Sequence, residues 1–327
     1  MSEVTNSTAT TGKHHDDQDK YPYLIIGGTT KAATTSLFAY LGAHPQVCPS
    51  NLKETRFFLD RDYPLDSKYR LEDGVDKYFG LFTQSNGNTH LWVEATPDYL
   101  YSKGTPAKVQ HTLSNARFVF ILREPVARVV SWYRFAKQEN LLPTKMSLDE
   151  YIARQLSAKN EDVEKLDQHM RAVEQGRYAV YLRPYFETFG KERVIVVFME
   201  ELARDPLRAL RELCGIADID PVFYDTYMFE VYNRTEDLKN PNMQSYYRRM
   251  QFRLHNIVHN RPALKSFLRR IRLTIEPIYF GLNRRSSSPD VEIPPQALSA
   301  LALYYQPSNA ELEAQLGRSL PWEEKSK

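Results

Sequence analysis

The stretch from Tyr23 to Ser36, Tyr-Leu-Ile-Ile-Gly-Gly-Thr-Thr-Lys-Ala-Ala-Thr-Thr-Ser, constrains the chain more than any other. An apolar strand turns through glycines and hydroxyls into a helix, with one lysine inside the turn. N–H groups at a helix start have no partner within the helix and lie at the positive end of its dipole, so an anion there supplies both acceptors and charge. Such a junction holds phosphate, and Thr34, Thr35 and Ser36 add hydroxyl donors.

The nucleoside-triphosphate loop GxxxxGK[ST] places its lysine directly before the first helical hydroxyl residue, where it reaches the terminal phosphates. Counting from Gly27, the Gly-Lys pair would fall on Ala32 and Ala33; counting from Gly28, it would fall on Ala33 and Thr34. Lys31 comes too early, which argues against an ordinary ATPase or kinase.

A second apolar strand runs into a helix at Ala116-Arg-Phe-Val-Phe-Ile-Leu-Arg-Glu-Pro-Val-Ala-Arg-Val-Val-Ser-Trp-Tyr. Pro125 suits a first helical turn, where its missing N–H costs nothing. A metal-dependent triphosphatase would carry an acid at such a strand end to hold magnesium, but this strand ends in Arg123. Arg123, with the Ser131 hydroxyl about two helical turns on, forms a second anion site.

Apolar runs at 23–26, 91–95, 117–122 and 193–198 read as buried strands. Stretches with helical spacing separate them, near 34–42, 105–114, 125–140, 147–158, 170–189 and 206–214. This alternation predicts an α/β fold with a central parallel sheet flanked by helices, three layers in all. Both anion sites fall at carboxyl ends of strands, where such sheets bind ligands. Past about residue 235 the pattern turns helical to the end.

Several of these segments resemble the sulfotransferases that use 3′-phosphoadenosine 5′-phosphosulfate, in the heparan-type and other carbohydrate branch with its bacterial relatives. Lys31-Ala-Ala-Thr-Thr-Ser is similar to that family's 5′-phosphosulfate loop, and Arg123-Glu-Pro-Val-Ala-Arg-Val-Val-Ser131 to its 3′-phosphate segment. Leu41-Gly-Ala-His-Pro-Gln-Val, Lys53-Glu-Thr-Arg-Phe-Phe and Glu94-Ala-Thr-Pro-Asp-Tyr-Leu resemble blocks the family carries in that order, and Tyr304 to Trp322 resembles its closing helix. The resemblance implies a P-loop-like fold, a single domain over 21–323, and transfer of a sulfuryl group to a hydroxyl or amine of a carbohydrate or small-molecule acceptor. The donor leaves as adenosine 3′,5′-bisphosphate, without a metal.

By that resemblance Lys31 is the catalytic cation at the leaving phosphate and Glu54 the base for the acceptor's proton, with a raised pKa expected for a carboxylate beside the donor. Lys31, Ala32, Ala33, Thr34, Thr35 and Ser36 would hold the 5′ end, and Arg123 and Ser131 the 3′-phosphate, where a planar guanidinium pairs two oxygens at once. Ala33 stands where the family usually has glycine. Tyr178 resembles a family position near the nucleotide and Trp132 could stack on a ring, though both read equally well as plain core aromatics, and Glu94 and Asp98, flanking a proline turn at a strand end, are candidates to line the acceptor pocket. Phe57 and Phe58 read as anchors, and Tyr133 as a core aromatic.

Composition sets the remaining bounds. With 327 residues and a formal charge of +2, the chain has ample length for a core and too little charge to imply nucleic-acid binding. Cys48 and Cys214 form no disulfide framework and read as buried small hydrophobes of a reducing compartment. Residues 1–20 are polar, without the apolar core of a signal peptide, and no run approaches membrane-spanning length, so a disordered extension and a soluble cytoplasmic enzyme are expected. The histidines lack metal-ligand spacing, and His44 before Pro45 reads as structural. A basic amphipathic stretch spans 246–285 within the helical segment 235–295. Two rival classes remain: a P-loop-type kinase or triphosphatase, which would need magnesium, and a non-catalytic nucleotide-binding protein.

Overall fold

The computed structural model describes residues 21–83, 85–158, 166–229 and 293–322. The extension at 1–20, the basic stretch 246–285 and almost all of 235–295 lie outside the described residues.

Five strands form one parallel sheet: β1 (Tyr23–Gly28), β2 (Val47–Pro49), β3 (Leu91–Ala95), β4 (Ala116–Leu122) and β5 (Val194–Phe198), in the order β2-β3-β1-β4-β5. The strands covered on both faces are mostly apolar, as buried parallel strands are, with Glu94 in β3 and Arg117 in β4 as charged exceptions. Alternation divides their side chains between two cores. Leu24, Ile26, Val93, Val119 and Ile121 pack on one face against α1 (Thr34–Gly42) and α8 (Pro206–Ala217). Tyr23, Ile25, Phe118, Phe120 and Leu122 pack on the other, against α3 (Thr105–Thr112) and α6 (Tyr178–Phe189). The expected three layers are therefore present.

A third core joins α4 (Pro125–Gln138) and α5 (Leu148–Ser157) to the long α9 (Pro295–Leu316). The expected C-terminal helix is thus found, ending on Gly317 in the left-handed conformation that glycine adopts freely. Two short helices, α2 (Asp76–Phe79) and α7 (Met199–Arg204), and the edge strand β2 were not expected. Each is too short to show a period.

The helix expected over 170–189 begins only at Tyr178 and is preceded by separate turns at Gln168–Met170 and Glu174–Gly176. Carbonyls that a helix would use internally accept side chains instead: Ala172 from Arg128 Nη1 at 3.0 Å, Val173 from Tyr305 at 2.8 Å and Gln175 from Tyr101 at 3.2 Å. Tertiary partners override the local period here.

The connection from β1 runs toward the β2 edge and that from β4 toward the β5 edge, so a crevice opens above the carboxyl ends of these two central strands.

Candidate active site

A cleft of about 1150 Å³ lies at that crevice. Its volume exceeds the usual size of a small-molecule pocket, and leaves room for a nucleotide and a second molecule together. Lys31, Ala33, Thr34, Thr35 and Ser36 line one part of it, Arg123 and Ser131 a second, and Lys53, Glu54, Arg56 and Asp98 a third.

The first part is the turn after β1. Gly28 is needed because a β-carbon there would lie 2.8 Å from the Leu100 side chain. Lys31 and Ala33 then take left-handed backbone, at φ 67° and 62°. Each costs an L-residue about 1–2 kcal/mol relative to ordinary helix geometry. That conformation turns the chain so that α1 starts at the cleft, and no side chain caps its first N–H groups. The glycine absent at position 33 is therefore a real departure, met by strain rather than by another path. Ala32 differs from its neighbours: its methyl group is buried in the core beneath the loop and does not line the cleft. The Lys31 ammonium sits 4.4 Å from the centre of the Phe135 ring on α4, within cation–π range.

The second part is the β4–α4 junction. Glu124 does not pair with Arg123; its carboxylate caps α4, accepting from the N–H groups of Val126 and Ala127. Hence α4 is capped by its own N-cap side chain, whereas the N-cap residue of α1, Ala33, has no side chain that could do this. Arg123 donates from Nη1 to the Lys31 carbonyl at 3.2 Å, so the two phosphate-type elements touch. Tyr178 is buried away from the cleft and donates to the Arg123 carbonyl at 2.8 Å, fixing the strand end. Trp132 lines the cleft beside Phe135, at 5.3 Å between ring centres, with a buried indole N–H that has no acceptor. The paired Trp132 and Phe135 rings give this part of the cleft an aromatic wall suited to a flat ring. Tyr133 instead belongs to the third core and donates to the Met146 carbonyl.

Arg128 is the residue that sequence reasoning quoted without a role. It is fully buried under the turn, where Nε donates to Thr29 Oγ1 and the Thr30 carbonyl (each 3.1 Å) and Nη2 to Thr30 Oγ1 (3.0 Å). On its other side it donates to the Ala172 carbonyl and Gln175 Oε1, both at 3.0 Å. Every hydrogen-bond partner is neutral, so a positive charge lies beneath the anion turn without a direct ion pair among the described residues, although its field reaches the Asp98 carboxyl and lowers its pKa. Its spacing, one turn after Glu124 on α4, was the available signal.

The third part rests on Glu94, which does not line the cleft as expected. It is buried, accepting from Thr55 (2.6 Å) and Thr96 (3.1 Å) on Oε2 and from Tyr78 (3.2 Å) and Tyr99 (3.1 Å) on Oε1. Burial outweighs these four hydroxyls and pushes its carboxyl up to about 7. Through Thr55 it staples the 53–58 loop to the end of β3, helped by the Glu54 N–H on the Ala95 carbonyl at 2.8 Å. Phe57 and Phe58 are buried anchors, as expected.

Glu54 thus faces the cleft, held between Lys53 Nζ at 3.0 Å and Arg56 Nη2 at 2.9 Å. Burial pushes its carboxyl up, but the charges and hydrogen bonds of Lys53 and Arg56 together prevail and hold it below its ordinary value. The raised pKa expected for Glu54 is therefore not found, since its own loop supplies two cations. Asp98 is the carboxyl that is raised: burial, then the charge of Glu54, push it up to about 6.

Elsewhere, His44 is structural, with Nε2 donating to the Asp220 carbonyl and Nδ1 accepting from the Gln46 N–H. Both cysteines are free and buried. Among the described residues there is no group of three or more metal-ligating side chains, and no helix is long and apolar enough to cross a membrane.

The sequence profile of the sulfotransferase family matches residues 22–223. The chain is 25% identical over 277 residues to bifunctional heparan sulfate N-deacetylase/N-sulfotransferase 1 of Caenorhabditis elegans, covering 78% of this chain and 30% of that protein. It is 25% identical over 215 residues to mouse heparan sulfate glucosamine 3-O-sulfotransferase 3B1, covering 66% of this chain and 50% of that one. The chain thus spans less than two thirds of the length of these relatives. The crystal structure of a sulfotransferase from Alicyclobacillus acidocaldarius superposes with a TM-score of 0.63 at 22% identity, covering 91% of this chain and 97% of that one, which establishes a shared fold. With more than half its length matched by the family profile, this chain belongs to the family of sulfotransferases that depend on 3′-phosphoadenosine 5′-phosphosulfate.

Proposed function

We propose that the protein transfers a sulfuryl group from 3′-phosphoadenosine 5′-phosphosulfate to a hydroxyl or amine of a carbohydrate or small molecule. The observation that carries this is the contact between the two anion elements, Arg123 Nη1 to the Lys31 carbonyl at 3.2 Å, inside one cleft. A donor with phosphate at both ends of an adenosine needs two such elements side by side; a triphosphate needs one loop and a metal-holding acid. The aromatic wall of Trp132 and Phe135 and the Arg128 charge beneath the turn also suit a bound anionic nucleotide.

The donor supplies the group transferred: its sulfur–oxygen bond to the 5′-phosphate breaks as the acceptor's oxygen or nitrogen bonds to sulfur. Lys31, with the start of α1, meets the negative charge that gathers on the leaving phosphate. Arg123 and Ser131 hold the 3′-phosphate and so fix the line of approach. Glu54, kept ionised by Lys53 and Arg56, takes the acceptor's proton. Two free, buried cysteines support a cytoplasmic setting.

Calorimetry tests the reading. Adenosine 3′,5′-bisphosphate should bind without added metal, and labelled donor should pass its sulfur to an acceptor in excess chelator. Uptake of ATP with magnesium in preference to the bisphosphate would sink the proposal and favour the kinase alternative.

A further inference from the structure

Asp98 sits in the turn after β3, where Pro97 starts a short 3₁₀ segment, and is only 5% exposed although it lines the cleft. Its Oδ1 is doubly satisfied, by the Tyr63 hydroxyl at 3.0 Å and by Gln168 Nε2 at 2.8 Å. No described residue donates to Oδ2, and none forms an ion pair with Asp98. The cations on this side of the cleft, Lys53 and Arg56, are both held by Glu54. Oδ2 is not sealed in the interior but opens on the cleft, so it is the oxygen of this carboxyl that a ligand can reach.

From this geometry, and resting on the sulfotransferase reading above, we infer that Asp98 selects the acceptor: its open oxygen takes an N–H or O–H from an uncharged or cationic molecule and disfavours a polyanion. An acceptor carrying carboxylates or sulfates near its reacting group would bring further negative charge against Glu54 and Asp98, where Lys53 Nζ and Arg56 Nη2 are held by Glu54 and the remaining cationic groups, Arg56 Nε and Arg128, are buried. An ammonium or hydroxyl fills the vacant bond instead and is oriented by it. Tyr63 and Gln168 hold the carboxyl plane from behind, so the direction of that bond is set before the acceptor arrives. The chain's relatives bear names that refer to heparan sulfate, yet this end of the cleft suits a different charge.

The test uses the full chain and Asp98→Asn. The asparagine oxygen keeps both accepted bonds, while its amide N–H₂ replaces the open acceptor by a donor. Glucosamine, N-acetylglucosamine and a sulfated uronate disaccharide serve as cationic, neutral and anionic probes. Each is titrated by calorimetry into protein with and without adenosine 3′,5′-bisphosphate. The parent should bind the cationic or neutral probe at least about tenfold more tightly than the anionic one. Asp98→Asn should erase that order while the melting temperature and the bisphosphate affinity stay unchanged. A parent that prefers the sulfated probe, indifference to all three including no binding of any, or an order that survives Asp98→Asn overturns the inference. Loss of bisphosphate binding by the parent would instead strike the sulfotransferase reading, and the charge order would still be legible in nucleotide-free protein.

Discussion

The two ends of the cleft are built on opposite plans. The donor end is not closed by its own side chains: α1 starts with no side-chain cap, and Arg128 carries a buried charge against neutral hydrogen-bond partners. The acceptor end is largely closed upon itself, with four hydroxyls on Glu94 and two cations on Glu54, and among its groups it leaves unmatched one carboxylate oxygen of Asp98 and the buried Arg56 Nε. One end waits for a highly charged ligand and the other is preassembled for a less charged one. This contrast assigns binding energy to the donor and positioning to the acceptor.

The largest effects should separate the ends by kinetics. Glu54→Gln should lower turnover by about 10²–10⁴-fold, the usual worth of a general base, with bisphosphate affinity unchanged. Lys31→Ala should lower turnover by about 10²–10³-fold, the cost of losing one preorganised donor at developing charge, and should weaken the bisphosphate as well. Single-turnover transfer paired with calorimetry reads both. If Glu54→Gln weakened the nucleotide as much as Lys31→Ala did, the division between ends would fail.

A smaller effect tests whether Arg128 acts by charge or by shape. Arg128→Gln removes the charge and Arg128→Lys keeps it, while both lose most of the five-bond fork. A charge in the interior still acts across several ångströms, by roughly 4 kcal/mol at 4 Å for an effective dielectric of 20. Arg128→Gln should therefore weaken the bisphosphate by about tenfold or more, and Arg128→Lys by clearly less. Equal losses, tracking a fall in melting temperature, would reduce Arg128 to scaffolding.

The same contrast explains what could be read from the residues alone. At the donor end every element is local: strand, turn and helix start lie within Tyr23–Ser36, and Arg123 and Ser131 lie within one junction. Their placement along the cleft follows from chain geometry and remains legible in one dimension. The acceptor end joins Thr55, Tyr78, Glu94, Tyr99 and Gln168, residues from four separate segments. No period marks such a meeting, so Glu94 was expected to face the cleft and instead holds the loop from behind. The pKa of Glu54 was misjudged for a related reason. Its neighbours Lys53 and Arg56 were visible, but the left-handed backbone at Glu54 and Arg56 (φ 61° and 56°) that folds both onto one carboxylate was not. The sheet was clear because its buried parallel strands are nearly continuous apolar runs, whereas β2 and α2 were too short to show any pattern.

The smallest effect on catalysis, though not on stability, should come from Glu94. Its carboxyl is pushed up to about 7 from an ordinary 4.5, chiefly by burial. Between those pH values the folded protein keeps a proton that the unfolded chain has lost. Stability must then fall as pH rises through this window, with a slope of at most about 1.4 kcal/mol per pH unit for one proton. Below the window the stability held by this group is fully present, and above it the group adds no further pH dependence. Glu94→Gln keeps the shape and can still accept hydroxyls through its amide oxygen, but has nothing to titrate. Turnover should change by less than about tenfold, since Gln preserves the staple that positions Glu54. Urea midpoints compared between pH 5 and 8 should decline with pH in the parent and be flatter in Glu94→Gln. Parallel pH curves would mean that the hydroxyls around Glu94 fully offset its burial. The acceptor end would then hold an ordinary ionised carboxylate, and its preassembly would carry no pH signature.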